Sequence, residues 1–410
     1  MCGIFGFARF RGGKLDAGAG EKVAEIIELM RLRGPDGNGS ARGESWIFGH
    51  TRLAVIDPAS GKQPWTDAAS GCVLIYNGEL FNHKDLRSGL ESGFAFRSSC
   101  DTETVMAAYL KWGAACVERF NGFFSLAVFD PRSNSIFAAR DRTGVKPFYY
   151  SLTADDFCFC SMVPGILRFK GTNPEPDLET LSNYLSFSRI VFGEKTIVKG
   201  VKSLLPGRRM TVSLDSGNVS VSQYWRRPVL TPEQKSDAPP FEKAAAETAE
   251  LVEDAVRMRL MSDVPLGAFL SGGLDSSVIA SLAARNSSFV LPVFCAGADG
   301  SPSEAQFARE AADKAGAALT ELSVDAARFS EHWGFLTAQK GMPLCTPNEI
   351  SIYMLSAELR KKCVVTLTGE GADEIYGGYV APQFSAFDFD RCPRSQETSL
   401  QDNVFEILLA

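Results

Sequence analysis

Cys2, in the start Met1-Cys2-Gly3-Ile4-Phe5-Gly6, is the first residue with chemical potential. Removal of Met1 would leave its thiol beside a free α-amine, putting a nucleophile and a weak base on one residue. A free α-amine titrates near pH ~8, so it can move the thiol's proton directly or through one water. Taken alone, Cys2 is equally a small hydrophobe near the start of the chain. The second candidate is the run Leu270-Ser271-Gly272-Gly273-Leu274-Asp275-Ser276-Ser277. Its glycines let backbone amides approach an anion, a following helix adds partial positive charge, and its serines add donors. Such a loop suits a pyrophosphate, yet it lacks the Gly-Lys-Ser/Thr ending of the common phosphate loop and the spacing of a dinucleotide loop. A small-residue turn with a helix cap is the alternative. The third candidate is Thr368-Gly369-Glu370-Gly371-Ala372-Asp373-Glu374. A bare Asp275 beside phosphate is repulsive, which points to an intervening Mg²⁺, and Asp373 is a second magnesium candidate. Glu370 is a candidate proton relay. For each acid the alternative is a helix N-cap.

These residues need elements to hold them. In the first half, Ser45 to Ile56, Cys72 to Tyr76, Phe123 to Asp130, Ser135 to Ala139, Phe148 to Leu152 and Phe157 to Ser161 read as strands. Gly20 to Arg31 carries Val23, Ile26, Ile27 and Met30 at helical spacing, and Asp101 to Trp112 is similar. The pattern is α+β with much antiparallel sheet. Arg226 to Pro240 is rich in proline and polar residues and reads as a linker. Beyond it the rhythm changes. A helix is expected over Phe241 to Leu260, a strand over Val264 to Leu270 and a helix over Ser276 to Ala284. Strand Val290 to Phe294, helix Glu304 to Ala315, strand Ala318 to Ser323, helix Ile350 to Arg360 and strand Cys363 to Thr368 follow. Alternating strand and helix imply an α/β, doubly wound, mostly parallel sheet. Loops at the carboxyl ends of such strands converge on one crevice, so the Ser271 and Thr368 loops are expected to share a site. The tail from Ala381 shows no periodicity before the apolar end Val404 to Leu409.

Composition narrows the class. The chain has 410 residues, 45% hydrophobic and 22% charged, with net charge −7. An acidic chain without a basic run argues against a nucleic-acid partner. No apolar stretch approaches the ~20 residues of a membrane-spanning helix, so no membrane partner is expected. The start lacks a basic region followed by an apolar core, so no secretory signal is expected and the chain reads as cytoplasmic. The ten cysteines lack paired metal spacing and are expected to be reduced. Cys158 and Cys160 alternate with phenylalanines and would share one face of a strand in the core. The three histidines, His50, His83 and His332, form no metal-ligand pattern.

Taken together these residues resemble the glutamine-dependent asparagine synthetase family over residues 1 to about 380. Met1-Cys2-Gly3-Ile4, Arg33-Gly34-Pro35-Asp36, His50-Thr51-Arg52-Leu53, Asn77-Gly78-Glu79, Asp101-Thr102-Glu103 and Arg140 to Pro147 resemble successive motifs of a class II glutamine amidotransferase domain. Ser271 to Ser277 resembles that family's pyrophosphatase-type ATP loop, and Thr368 to Tyr379 its second nucleotide motif. The resemblance implies an N-terminal-nucleophile glutaminase domain, two sheets between helices, over 1–205. A connecting segment over 206–240 and an ATP-pyrophosphatase-type domain over 241–410 would follow. Cys2 would attack the side-chain amide of glutamine, giving a thioester and ammonia. Asn77 and Gly78 would form the oxyanion hole, Arg52 would hold the glutamine carboxylate, and Glu79 and Asp101 its amino end. ATP and Mg²⁺ would activate a carboxylate, usually that of aspartate, as an acyl-adenylate. Ammonia arriving through an internal tunnel would then give asparagine, AMP, pyrophosphate and glutamate.

The chain also departs from that pattern. Family members usually carry further helices and a lysine in a basic motif, and Pro382 to Ala410 matches neither. A synthetase domain shortened at its C-terminus is therefore expected, alone, as a homodimer or beside a partner supplying the missing part. Met342 stands where many relatives have an acid, and Met162 where they often have glutamate. Two other readings keep the resemblance: amidation of a different carboxylate, or a shortened paralogue acting as a glutaminase, a nucleotide-binding regulator or a complex subunit.

Overall fold

The structure, a computed structural model, describes residues 1–188, 190, 193–229, 231, 239–298, 302–376 and 378. The expectations for the tail from Ala381, and for Gly377 and Tyr379, lie outside these residues. The chain forms two compact units: Met1–Leu266 with Val324–Val365, and Gly267–Ser323 with Thr366 onward.

The first unit is built on two six-stranded sheets. One runs, in spatial order, Lys202–Ser203, Tyr149–Leu152, Asp156–Cys160, Gly3–Arg9, Trp46–Arg52 and Gly37–Arg42. The other runs Val219–Gln223, Arg208–Ser213, Ser135–Arg140, Gly122–Asp130, Val73–Leu80 and Trp65–Thr66. The ladders of both sheets are antiparallel. Alternate residues of an antiparallel strand face opposite sides, which lets each sheet bury both faces here. One core lies between the sheets, where Ile4, Phe48 and Phe159 meet Ile75, Ala127 and Ile136. A second covers the outer face of the second sheet, where Leu74, Leu126 and Phe137 pack on Val105, Met106 and Tyr109 of the helix Asp101–Trp112. A third covers the first sheet, with Phe5, Phe7, Cys158 and Cys160 against the helices Ala19–Leu29 and Val163–Lys170. The result is a helix–sheet–sheet–helix sandwich.

Several expectations shift. Arg208–Ser213 and Val219–Gln223 lie in the stretch expected to connect domains, yet they extend the second sheet beside Ser135–Arg140. The strand expected to reach Ile56 ends at Arg52, because Leu53 turns to face Cys2 and the following residues wrap the Arg52 side chain. The strand Gly3–Arg9 enters the centre of the first sheet. Helix Ala326–Lys340 was not anticipated, since it buries no residue completely and shows no apolar stripe. It ends at Gly341, whose φ of +65° suits a residue without Cβ and whose position allows Pro164 to pack against it. Met342 follows, buried with Met162 in the third core.

A four-stranded sheet orders Ala318–Val324, Pro292–Ala298, Leu266–Phe269 and Val365–Leu367. Its two central strands are parallel, with Ala268 opposite Val293 and Phe269 opposite Phe294. Helices Leu274–Arg285 and Pro302–Ala315 alternate with the strands, the α/β rhythm read from the sequence. The strand expected to end at Phe294 runs Pro292–Ala298 instead.

Candidate functional site

Cys2 lies at the entry to Gly3–Arg9 and is 9% exposed. Its Sγ accepts from the Leu53 backbone N–H at 3.4 Å and faces the Leu53 carbonyl at 3.7 Å. Arg33 Nε donates to the Cys2 carbonyl at 3.1 Å, while Arg33 Nη2 is buried without a partner. Leu53 is thus the neighbour of the thiol and Arg33 that of the Cys2 backbone. Both lie in sequence motifs that assign them no role, because both contacts run through the Cys2 backbone or their own.

Strand Val73–Leu80 carries Asn77, Gly78 and Glu79. Asn77 is 1% exposed, and its amide Nδ2 is buried with no hydrogen-bond partner. A buried donor left unpaired is costly, so its retention marks a place where an acceptor can arrive. Asp101 opens the helix Asp101–Trp112 and turns back to this strand, accepting from Tyr76 Oη and the Leu80 N–H, both at 3.0 Å. Burial raises the Asp101 carboxyl above its usual range, with these bonds opposing. Glu79 Oε1 is buried and unpaired. Burial, followed by the neighbouring Asp101 charge, raises Glu79 to about 7, with Lys146 and Arg259 pulling the other way. The anchor beneath is Gln63, which takes the Tyr76 N–H at 2.7 Å and donates to the Tyr76 carbonyl at 3.1 Å. His50 Nε2 reaches the same carbonyl at 3.2 Å, and burial lowers that imidazole to about 4, leaving it neutral.

Arg52 ends the strand Trp46–Arg52. Its guanidinium donates to three backbone carbonyls, Pro58 at 2.6 Å, Asp57 at 2.7 Å and Ile56 at 3.2 Å. The residue expected to hold a carboxylate is therefore also the centre of a loop that curls around it. Lys146 was quoted in a motif without a role. It lies within electrostatic reach of Cys2, Glu79 and Arg33, and burial followed by Arg33 lowers its pKa. The turn presenting it is organised by Asp141, which is fully buried and accepts from the N–H groups of Phe124, Thr143, Val145 and Lys146 at 2.9–3.2 Å. The α-amine of Met1 is lowered to about 5 by burial, with Lys146 and Arg33 adding to the effect and Cys2 opposing it. Lys146, Arg33 and the Met1 amine are thus all within electrostatic reach of Cys2.

In the second unit, Leu270 leaves the strand Leu266–Phe269 and its N–H donates to the Phe294 carbonyl at 2.9 Å. Ser271 begins a turn closed by Ser276, with Ser271 N–H donating to Ser276 Oγ at 3.2 Å and the two hydroxyls 3.0 Å apart. Gly272 sits at φ +84°, and a Cβ there would lie 2.6 Å from the Ala308 nitrogen. Helix Leu274–Arg285 starts directly after Gly273 with no side-chain cap, which leaves its first N–H groups facing the loop. Leu274 is 79% exposed, Asp275, Ser276 and Ser277 are half-buried. The Thr368 loop comes to the same place: a Cβ on Gly369 would lie 3.0 Å from the Ser276 nitrogen and 3.1 Å from Asp275 Cβ. The convergence expected of Asp275 and the Thr368 loop is thus seen at Gly369. Thr368 Oγ1 and the Glu370 N–H are 3.4 Å apart, and Glu370 is exposed. Asp373 lies in the short helix Ala372–Tyr376, half-buried, and its carbonyl accepts from the Gly378 N–H. Among the described residues no three His, Cys, Asp or Glu side chains gather as a metal cluster. The nine described cysteines are not joined in disulfides, and no helix among the described residues is long and apolar enough to cross a membrane.

A cysteine at the head of a two-sheet sandwich, with an unpaired amide and buried acids on the facing strand, has the parts of an N-terminal-nucleophile amidotransferase. Residues 1–225 match the glutamine amidotransferase domain, and residues 247–406 match asparagine synthase. The chain is 32% identical over 408 residues to asparagine synthetase [glutamine-hydrolyzing] 3 of Bacillus subtilis, covering 95% of this chain and 65% of that protein. It is 30% identical over 400 residues to asparagine synthetase [glutamine-hydrolyzing] 1 of the same organism, covering 96% and 61%. A plant relative, the asparagine synthetase [glutamine-hydrolyzing] of Sandersonia aurantiaca, is 31% identical over 93% of this chain and 66% of its own. The chain belongs to the asparagine synthetase family and spans just under two thirds of the length of these relatives.

Proposed function

We propose that the chain hydrolyses glutamine at Cys2 and spends the released ammonia on ATP-dependent amidation of a carboxylate, with aspartate as the acceptor. The observation that carries the glutaminase reading is the buried, unpaired amide of Asn77 on the strand that also holds Gly78 and Glu79. With Met1 removed, the α-amine of Cys2 takes the thiol's proton and the sulfur attacks the glutamine side-chain carbonyl. Asn77 Nδ2 and the Gly78 N–H stabilise the resulting oxyanion. Collapse expels ammonia and leaves a γ-glutamyl thioester, which water cleaves to glutamate and free Cys2. Arg52 orients the substrate carboxylate, and Glu79 with Asp101 takes its ammonium group.

In the second unit, Ser271, Gly272, Gly273, Ser276 and Ser277 cradle the ATP phosphates, with Leu270, Leu274, Thr368 and Gly369 framing them. Asp275 and Asp373 would hold Mg²⁺, which supplies neutralisation of phosphate charge. Glu370 serves as proton relay when ammonia replaces AMP on the activated acceptor carboxylate. The similarity of residues 247–406 to asparagine synthase supports this half of the reading.

Purified protein given glutamine, ATP, Mg²⁺ and aspartate should release glutamate, pyrophosphate and AMP in step. Cys2→Ala should lose glutamine use and keep turnover with free ammonia. No pyrophosphate with aspartate, but release with another carboxylate, would change the acceptor. Glutamate release without pyrophosphate for any acceptor would leave a glutaminase alone.

A further inference from the structure

The residues that grip Cys2 and Arg52 form one short loop, and that loop is tied from outside. Leu53 flanks the Cys2 sulfur, and the carbonyls of Ile56, Asp57 and Pro58 fill the Arg52 guanidinium. Asp57 sits at φ +45°, a left-handed conformation that a residue with a Cβ keeps only where its surroundings impose it. Its own carboxylate accepts from the Ser60 and Ser99 N–H groups, and two side chains from much later in the sequence tie the loop in addition. Asp263 Oδ2 accepts the Asp57 N–H at 2.8 Å, and the Asp263 N–H returns to the Val55 carbonyl at 3.1 Å, a reciprocal pair. Arg360 Nη2 donates to Asp36 Oδ1 at 3.0 Å, while Asp36 Oδ2 accepts the Ala54 N–H at 2.9 Å. The Asp36 N–H in turn donates to the Arg52 carbonyl at 2.9 Å. Val364 N–H donates to the Pro265 carbonyl at 2.8 Å, so the segments bearing the two braces are themselves joined. Both braces lie outside residues 1–225, the span that matches the amidotransferase domain, and inside 247–406.

We propose that Asp263 and Arg360 are positioning residues for the glutamine site, holding the 53–58 loop so that Arg52 and Leu53 meet substrate in the right place. The inference rests on the glutaminase reading and adds that glutamine affinity is set partly by residues of the second matched region. Neither side chain touches the reacting atoms. Each acts through a backbone N–H of the loop, Asp263 directly and Arg360 through Asp36. Without a brace the loop loses one of its anchors beside those from Ser60 and Ser99, and its hold on Arg52 loosens.

The test uses the full chain with Asp263→Ala, Arg360→Ala and Arg360→Lys. Loss of a partly exposed charge-assisted hydrogen bond predicts a glutamine KM raised about two- to fivefold in each alanine variant, with kcat within about threefold. Arg360→Lys should recover part of the affinity. A second readout needs no turnover: amide hydrogen exchange at Ala54 and Asp57 should accelerate in the alanine variants while Val73–Leu80 stays protected. Unchanged KM together with unchanged exchange overturns the proposal, as does a parallel fall of kcat and melting temperature. If the wild-type chain releases no glutamate, the glutaminase reading fails, and the exchange experiment alone decides whether the braces hold the loop.

Discussion

Asn77→Ala separates a catalytic amide from a structural one, because the two roles predict opposite signs. Asn77 is 1% exposed and its Nδ2 has no partner. An unsatisfied buried donor costs about 1–3 kcal/mol. Truncation to alanine removes that cost and leaves a small void worth roughly 1 kcal/mol. The folded state should therefore hold its stability or gain about 1–2 kcal/mol. In the reaction the sign reverses. Loss of one oxyanion donor costs about 2.7–4 kcal/mol of transition-state stabilisation, or ~10²–10³ in kcat. Asn77→Asp keeps the shape and removes the donor, so it should lose activity in the same way. The assay is steady-state glutamate release from glutamine, run beside thermal melts of all three proteins. Activity within about threefold of wild type would refute the oxyanion role, because a lost donor predicts at least ~10². A melting temperature lowered by much more than the ~2–4 °C that about 1 kcal/mol produces would make the amide structural.

Gly272→Ala should abolish ATP-dependent pyrophosphate release and spare glutamate release, since the new Cβ would meet the Ala308 nitrogen at 2.6 Å in a backbone conformation of φ +84°. Asp141→Ala should destabilise the fold by roughly 3–5 kcal/mol in a denaturant titration, because four buried N–H groups lose their acceptor. Glu79 titrates at about 7 in the fold against an ordinary 4.5, so its contribution to stability is present at low pH and lost as pH rises through that window. Its ionised form is also the one that binds an ammonium group, so the glutamine KM should fall as pH climbs through about 7, and Glu79→Gln should flatten both profiles.

The sequence placed Cys2 and the Ser271 loop on their elements well, because both depend on local residue types. Cys2, Asn77 and Asp101 sit in short motifs, and Ser271 to Ser277 lies between a readable strand and a readable helix. The helix Asp101–Trp112 was legible to its last residue, since its apolar spacing is unbroken. Other parts were hidden for identifiable reasons. Gly37–Arg42, with the sequence GNGSAR, is an edge strand of half-exposed small residues that lacks an apolar alternation. Ala326–Lys340 has no fully buried side chain to set a period. The loop around Arg52 is shaped by Asp36, Asp263 and Arg360, whose separation in the chain leaves no mark on local spacing. Met162 and Met342 gave no local sign of their shared environment, and the fold shows them in one apolar cluster with Phe5 and Ile26.

That cluster bears on how the protein is made. Met342 completes a core whose other members, from Phe5 to Val201, are synthesised far earlier. Tyr184 Oη also waits for the Leu344 carbonyl, its partner at 2.9 Å. At ~5–20 residues per second, the ribosome needs roughly 10–40 s to travel from Met162 to Met342. Through that interval the third core lacks Met342. The two-sheet sandwich thus reaches its final packing only after translation of the second matched region is well under way.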